Sequence, residues 1–347
     1  MLFTIEDVPF WGMSAAISPN ENDRTKVITS TKFISAIAGG VPNIILPLLI
    51  DYVSGGNAPF TLKGVFFSMA VITSIIGQSI FSLSGLIVKE RIQQSEDQPS
   101  FKECLTALFR NRPLQILVLK DALGALSNIG GAFWTYYCLD VLGSASIVIV
   151  LGIPSTIASF ASFALIPPLK KHFNNKQLII FNKLEGTIAG ILKFLICIGG
   201  KRYLNMSFMF PVLMIEWTFN GIVSAIGNVI PTEMVCDTID WYEWKTGRRT
   251  EGISFSAMTF MSKFNAALSR SIGTFLIPYT GYKTSNSGEV LVQTDYTKKM
   301  IFIMVTIVPA LLGLFSYIPL FFYDLVGEKK EKMYEELSKM RLAESET

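Results

Sequence analysis

The chain has 347 residues, of which 50% are hydrophobic and only 16% are charged, and its mean hydropathy is +0.43. Soluble domains carry about 25% charged residues. Long uncharged stretches recur, such as 64–88, 141–169 and 300–323, and a bilayer-spanning helix needs about 20 mostly apolar residues. The composition therefore excludes a soluble enzyme, a disordered chain and a porin-type barrel, whose segments would be short and alternating. It predicts a polytopic all-α membrane protein.

The net charge and the small numbers of cysteine and histidine residues exclude several kinds of site. A net charge of +3 is typical of membrane proteins with basic loops and gives no reason to expect nucleic acid binding. The four cysteines have no CxxC spacing, and the single histidine, His172, lies in a basic cluster. A zinc site and a histidine-based catalytic triad are thereby excluded, and we expect neither a metal nor a cofactor.

In chain order, a short apolar segment over 1–13 is followed by eight predicted spans. They cover 27–52, 61–90, 113–141, 144–169, 176–200, 205–235, 250–281 and 297–325. The polar connector 91–112 contains an amphipathic stretch over 100–111 that we expect on the membrane surface. The tail 326–347 is predicted to be a charged amphipathic helix outside the bilayer.

The distribution of Lys and Arg predicts the orientation of these spans. Basic residues concentrate in one set of alternate loops, including 89–112, 170–176 and the tail, so this side and the C-terminus are predicted to be cytoplasmic. The first segment would then start outside, as expected if an upstream region were missing. The long connector divides a partial N-terminal bundle (1–90) from six spans (113–325), which is half of a two-bundle transporter. The first half would lack three spans and part of a fourth.

The first segment carries a stripe of side chains suited to a sugar. Asp7, Thr4 and Trp11 lie at helical spacing on one face. A carboxylate and a hydroxyl can hydrogen-bond sugar hydroxyls, and an indole ring can stack on the apolar face of a pyranose. A helix-end acid beside a packing Trp is the alternative interpretation.

Ionisable residues inside predicted spans are costly and indicate function or pairing. Lys263 lies near the middle of 250–281 with Thr259 on the same face, so we expect it to line a central polar cavity rather than to extend towards an interface. Arg270 follows on that face. Lys193 and Glu185 could share a face in a structural role, and Glu216 remains unexplained.

The densest charged cluster, 233–252, follows the predicted span 205–235. It is either a solvated loop or an ionic lock that closes a cytoplasmic mouth against Arg24 and Lys26. Such a lock needs only marginal stability, because substrate must tip a two-state equilibrium.

Two motifs resemble the glycoside–pentoside–hexuronide:cation symporters of the melibiose permease type, within the major facilitator superfamily. One is EMVCDTIDWYEWKTGRRTEGISFSAMTFMSK (233–263), and the other is DVPFWGMSAAISPNENDRTK (7–26). The resemblance extends to about residue 325. It implies an incomplete N-terminal and a complete six-helix C-terminal bundle, with sugar uptake coupled to Na⁺, Li⁺ or H⁺ by alternating access.

The resemblance also implies roles for individual residues. Its sugar-binding positions fall on Asp7, Trp11, Lys32, Asn128, Thr259 and Lys263, its cation-coupling positions on Thr4, Asp7 and Lys263, and its cytoplasmic gate on Arg24, Asp237, Asp240, Arg249 and Glu251. Lys32 replaces an arginine of the family pattern and cannot reproduce its bidentate fork. The family's first three helices, which carry acidic cation ligands, are not in this sequence, so Thr4 would lack charged oxygen partners for a hard cation.

These observations leave three interpretations. We expect a sugar:cation symporter, acting as a monomer in the cell membrane, with a small sugar, a monovalent cation and the lipid bilayer as its partners. A truncated, transport-inactive fragment is an alternative. A sugar-sensing membrane protein is another, for which the charged tail is the only indication.

Overall fold

The structure is a computed structural model that describes residues 9–14, 16–18, 20–54, 61–87, 101–143, 147–283 and 292–345. Over these ranges it is helical and contains no strand. The chain divides into two compact units, one formed by residues 13–93 and the other by residues 94–347 together with 1–12.

The smaller unit contains two long helices, α1 (Glu21–Ser54) and α2 (Leu62–Ile87). The Asn20 side chain accepts a hydrogen bond of 2.8 Å from the backbone N–H of Asn22, and Glu21 and Asp23 lie in the first turn of α1. Acidic groups at this position stabilise the positive end of the helix dipole. The predicted spans 27–52 and 61–90 therefore correspond to α1 and α2.

The larger unit contains eight further helices. They are α3 (Phe101–Arg110), α4 (Arg112–Val141, with a short 3-10 turn and a π-turn), α5 (Ile147–Ser162, continued to Lys170), α6 (Asn175–Ile198), α7 (Met206–Thr246), α8 (Glu251–Leu276), α9 (Asp295–Phe321, broken at Thr306) and α10 (Glu328–Ser345). Helix α3 covers 101–110 of the predicted amphipathic stretch, and α10 covers 328–345 of the tail, which the sequence predicted to be helical.

Helix α7 differs most from its prediction, because it extends well beyond residue 235. It runs to Thr246 and ends at Gly247, whose φ of 67° closes the last turn. Glycine adopts this left-handed conformation without a Cβ clash. The sequence's charge density between 233 and 246 suggested a loop, but this segment is the last part of a 41-residue helix.

Close helix contacts hold the larger unit together. A Cβ on Gly221 of α7 would lie 2.4 Å from the Ser155 carbonyl oxygen of α5, and one on Gly273 of α8 would lie 2.4 Å from Cβ of Ala132 of α4. Small residues at such crossings let membrane helices approach closely. A buried cluster of α4, α5, α7 and α9 side chains, including Tyr137, Leu151, Met209, Leu213 and Phe302, forms its core.

The surface is that of a protein in lipid. Five helices of the described ranges are long and apolar enough to cross a membrane: α2, α4, α5, α7 and α9. Helices α1, α6 and α8 have 34, 24 and 26 residues but are less apolar. Large apolar side chains point outward, with Ile215 72% and Phe67 70% exposed. Exposed apolar faces of this kind mark a membrane-contacting surface.

Candidate functional site

A cavity with a volume of about 790 Å³ lies within the larger unit. Its walls come from α4, α6 and α8 and are largely polar. They include Asp121, Asn128, Lys183, Asn265, Ser269 and Arg270. Sites for small ligands have volumes of about 300–1,000 Å³ and carry a few convergent polar groups.

Two asparagines fix the polar wall of this cavity. The Asn128 side-chain amide donates to Oδ1 of Asn265 at 2.9 Å, and the Asn265 amide donates to the backbone carbonyl of Asp121 at 2.7 Å. These bonds join α4 to α8 and hold the amide groups at the cavity surface. Such groups can donate to and accept from sugar hydroxyls.

The cavity wall also carries excess positive charge. Asp121 is paired with Lys120 at 2.6 Å. Lys183 and Arg270 have no ion-pair partner within the described ranges, although both line the cavity. A charged group within a predicted span is costly unless it has a use. The wall is therefore suited to a ligand that combines hydroxyl groups with an anionic group.

The predicted stripe on α8 continues into this wall. Arg270, seven residues after Lys263, lines the cavity, whereas Lys263 and Thr259 are absent from its lining. Lys263 is exposed and Thr259 half-buried, and each has a polar contact. Asn128 is thus the predicted sugar-binding residue that the structure brings to the cavity, and the roles of Thr259 and Lys263 stay predictions.

The remaining predicted sugar and cation residues lie elsewhere. Thr4 and Asp7 fall outside the described residues. Trp11 is half-buried against Phe10, with ring centroids 5.2 Å apart, and does not line the cavity. Lys32 lies half-buried on α1. Their roles stay predictions as well.

The second polar region is the acidic end of α7, which we define as Asp237, Asp240 and Glu243. Asp237 and Asp240 are each 1% exposed, so the interpretation of 233–252 as a solvated loop is wrong. Arg249 donates to Asp240 at 3.3 Å and also to Glu243 and Glu251. Burial by itself would lower the pKa of Arg249, but the three carboxylates raise it above its ordinary value.

The tail helix α10 binds the same acidic end. Lys330 contacts Asp237 at 2.7 Å, and the Tyr334 hydroxyl donates to Asp237 at 2.8 Å. Arg341 donates to Asp240 at 3.1 Å and to Glu243 at 2.6 Å. Burial would lower the pKa of Arg341, whereas the hydrogen bond to Glu243 and the charge of Asp240 raise it.

The predicted gate residues are therefore partly assembled. Asp240, Arg249 and Glu251 form one network, and Asp237 joins it through Tyr334, which also donates to Asp240 at 3.2 Å. Arg24 belongs to the other unit and is 1% exposed. Its predicted pairing with Asp237 and Asp240 stays a prediction.

The sequence did not predict the positions of two groups of residues at these sites. Lys183 is, like Lys263, an ionisable residue inside a predicted span. The same criterion therefore could have identified Lys183 as a candidate site residue. The tail was identified only as a charged helix. Lys330, Tyr334 and Arg341 share one face, because they are four and eleven residues apart, and this spacing was the available signal.

The sequence model of the MFS/sugar transport protein family matches residues 1–327. The chain belongs to this family. It is therefore a transport protein rather than an enzyme, and its apolar helices are those of a multi-pass membrane protein. The expected family resemblance is confirmed, together with the major facilitator fold class.

Individual relatives are distant but align over most of the chain. The chain is 21% identical to the glucuronide carrier protein homolog of Escherichia coli (strain K12), over 97% of this chain and 70% of that protein. It is 24% identical to the inner membrane symporter YicJ of the same organism, with the same coverage. It is 25% identical to the isoprimeverose transporter of Lactiplantibacillus pentosus, over 83% of this chain and 58% of that protein.

Proposed function

We propose that this member of the sugar transport family carries out sugar:cation symport by alternating access. The cavity with Asn128, Asn265, Lys183 and Arg270 would bind the sugar from the side of the larger unit. Asp7, Trp11, Lys32, Thr259 and Lys263 would complete the sugar site, and Thr4, Asp7 and Lys263 would couple it to Na⁺, Li⁺ or H⁺. The polar cavity carries this proposal, and the family match supports it.

The cationic wall leads us to a narrower substrate class, the acidic glycosides. Guanidinium groups bind carboxylates through two parallel hydrogen bonds, and an ammonium adds a point charge. Lys183 and Arg270 supply one group of each kind. The relative named as a glucuronide carrier homolog supports the same class.

The acidic end of α7 would act as the cytoplasmic gate. In this proposal Arg24, Asp237, Asp240, Arg249 and Glu251 form ion pairs that close the inner mouth and separate when the bundles rock. The C-terminus and α10 would then be cytoplasmic, and the protein would act as a monomer in the cell membrane.

Counterflow of labelled sugar in proteoliposomes tests this function. Methyl β-D-glucuronide and methyl β-D-glucoside form a matched pair, because they differ only in a carboxylate or a hydroxymethyl group at C6. We expect counterflow of the glucuronide to exceed that of the glucoside, and Arg270→Gln to reduce the difference. Asp7→Asn and Lys263→Ala should abolish counterflow, whereas unchanged counterflow in both would overturn the site assignment.

The same experiment separates the two alternatives. Sugar binding without counterflow, measured on the purified protein by calorimetry, would favour a sensor. Absence of both binding and counterflow would favour a transport-inactive fragment. Asp295→Asn serves as the control, because Asp295 pairs with Lys201 at an exposed position.

A further inference from the structure

A second cavity of about 310 Å³ lies in the larger unit. It is enclosed mainly by α6, α7 and α9. Its lining includes Glu185, Thr187, Lys193, Glu216, Asn220 and Tyr317. Lys183 lines it as well, so two carboxylates and two ammonium groups face one cavity inside a helical bundle.

The two carboxylates of this cavity differ in their hydrogen-bond and ion-pair partners. The Lys193 ammonium group lies 2.7 and 2.8 Å from the two carboxylate oxygens of Glu216, so these two charges compensate each other. Glu185 is only 8% exposed, and its Oε2 accepts one hydrogen bond, from the Asn220 amide at 3.3 Å. Within the described ranges, Glu185 has no ion-pair partner and its Oε1 accepts no hydrogen bond. Among the described residues, Glu185 is therefore the carboxylate of this cavity that contacts no cation.

The position of Glu185 makes a negative charge without a contacting cation unfavourable. It is the eleventh residue of the 24-residue helix α6, near the middle of a predicted span. Burying an ionised carboxylate without a paired charge is strongly unfavourable, and neutralisation is the usual outcome. A proton from water that binds Oε1 forms an O–H bond and removes the charge, and its release restores the carboxylate.

The two cavities share part of their lining. Asn128 and Lys183 line both of them. The charged or titratable groups that face Glu185 in the small cavity are Lys183 and Lys193 of α6, Glu216 of α7 and Tyr317 of α9. No charged group of α4 lines this cavity in the part of the chain that the structure describes. Lys183 thus lines both the sugar cavity and the cavity that contains Glu185.

We propose that Glu185 is a proton-binding site through which the C-terminal bundle couples the sugar cavity to the proton gradient. This inference rests on the proposed transport function and specifies its coupling ion. Sugar in the large cavity changes the surroundings of Lys183, and Lys183 transmits the change to the proton on Glu185. Protonated Glu185 permits the loaded protein to change its orientation, and release of the proton on the other side gives transport its direction.

Two measurements in proteoliposomes that contain the full chain distinguish proton coupling from sugar transport. Counterflow of labelled methyl β-D-glucuronide needs no gradient, whereas accumulation driven by an inside-alkaline pH gradient needs a bound proton. We expect Glu185→Gln to retain counterflow and to lower accumulation to the level reached without a gradient. Glu185→Asp keeps a protonatable group and should restore part of the accumulation. Asp295→Asn, at the exposed pair with Lys201, should change neither.

An infrared measurement on the purified protein tests the site without any sugar. We expect wild type to show the C=O stretch of a protonated carboxyl group that disappears on alkaline titration and is absent in Glu185→Gln. Its absence from wild type would overturn the inference, as would gradient-driven accumulation by a folded Glu185→Gln. A wild type that shows the band but no counterflow of either sugar would contradict the transport function instead, while the proton site would stand.

Discussion

The two charged clusters of the larger unit differ in how completely their charges are compensated. At the acidic end of α7, Asp237, Asp240 and Glu243 contact three cationic side chains, supplied by Arg249 and the tail helix α10. In the small cavity, the ammonium group of Lys193 pairs with Glu216, and within the described ranges Glu185 has no ion-pair partner. The comparison teaches that a dense ionic network holds helices together, whereas a sparse one leaves a group available to change its protonation state.

The largest effect on stability should come from removing Arg249. Its side chain is 5% exposed and contacts three carboxylates, so Arg249→Ala leaves buried negative charges without their main partner. Breaking a buried ion pair in this way costs about 3–5 kcal/mol. We expect a large drop in the unfolding temperature of the purified protein. Arg248→Ala, at an exposed neighbouring position, is the control, and equal drops in both variants would contradict the compensated network.

The pair in the small cavity should respond differently to single and double changes. Lys193→Met leaves the half-buried Glu216 without its ammonium partner. The change should destabilise the protein by up to about 3–5 kcal/mol, whereas replacing both partners with uncharged side chains is often nearly neutral. We expect Lys193→Met/Glu216→Gln to recover most of the lost unfolding temperature. Additive losses in the double variant would show that the two side chains do not act as a pair.

Contacts of the tail helix should make a smaller contribution. Lys330 is 12% exposed and bonds Asp237, whereas Lys332 is 69% exposed and pairs with Glu336 at 3.8 Å. Lys330→Ala should cost about 1–3 kcal/mol, because it removes a hydrogen bond to a buried charged group, and should raise hydrogen exchange in 328–345. Lys332→Ala should leave exchange unchanged. Identical exchange in the two variants would show that Lys330 does not anchor the tail.

The smallest effect is expected at Asp324, which pairs with Lys329 although both are 40% or more exposed. Burial would raise the pKa of Asp324, but the hydrogen bond and charge of Lys329 lower it below the ordinary value. A lowered carboxyl pKa contributes stability above the unfolded-state pKa, and this stability is lost as the pH falls through the folded-state value. For an exposed pair the contribution is below about 1 kcal/mol. Asp324→Asn should therefore lower the unfolding temperature slightly at neutral pH and not in acid, and a larger loss in acid would contradict this assignment.

Periodicity and hydropathy were sufficient to predict most helices, because lipid requires long uncharged segments. The end of α7 could not be predicted in this way, because a segment with so many charged residues is typical of a solvent-exposed loop. The buried Asp237 and Asp240 are bonded by Lys330, Tyr334 and Arg341 from the tail, about a hundred residues later in the chain, in addition to nearer partners such as Arg249. Such a distant pairing leaves no local signal in the sequence.

The residues of the candidate sites were also predicted only in part. Asn128 was assigned to the sugar site through the family resemblance; it lines the large cavity, and its role in sugar binding stays a prediction. Sequence spacing suggested that Lys193 and Glu185 share a face, but the partner of Lys193 is Glu216 on another helix. A pattern within one helix identifies the face of a side chain, whereas the choice between two possible partners depends on how helices pack.

Sugar counterflow in proteoliposomes tests the central claim most directly. The account predicts that the wild type exchanges labelled methyl β-D-glucuronide faster than methyl β-D-glucoside, and that Arg270→Gln, in the wall of the large cavity, reduces this preference. Equal or absent exchange of the two sugars by a folded wild type would contradict it.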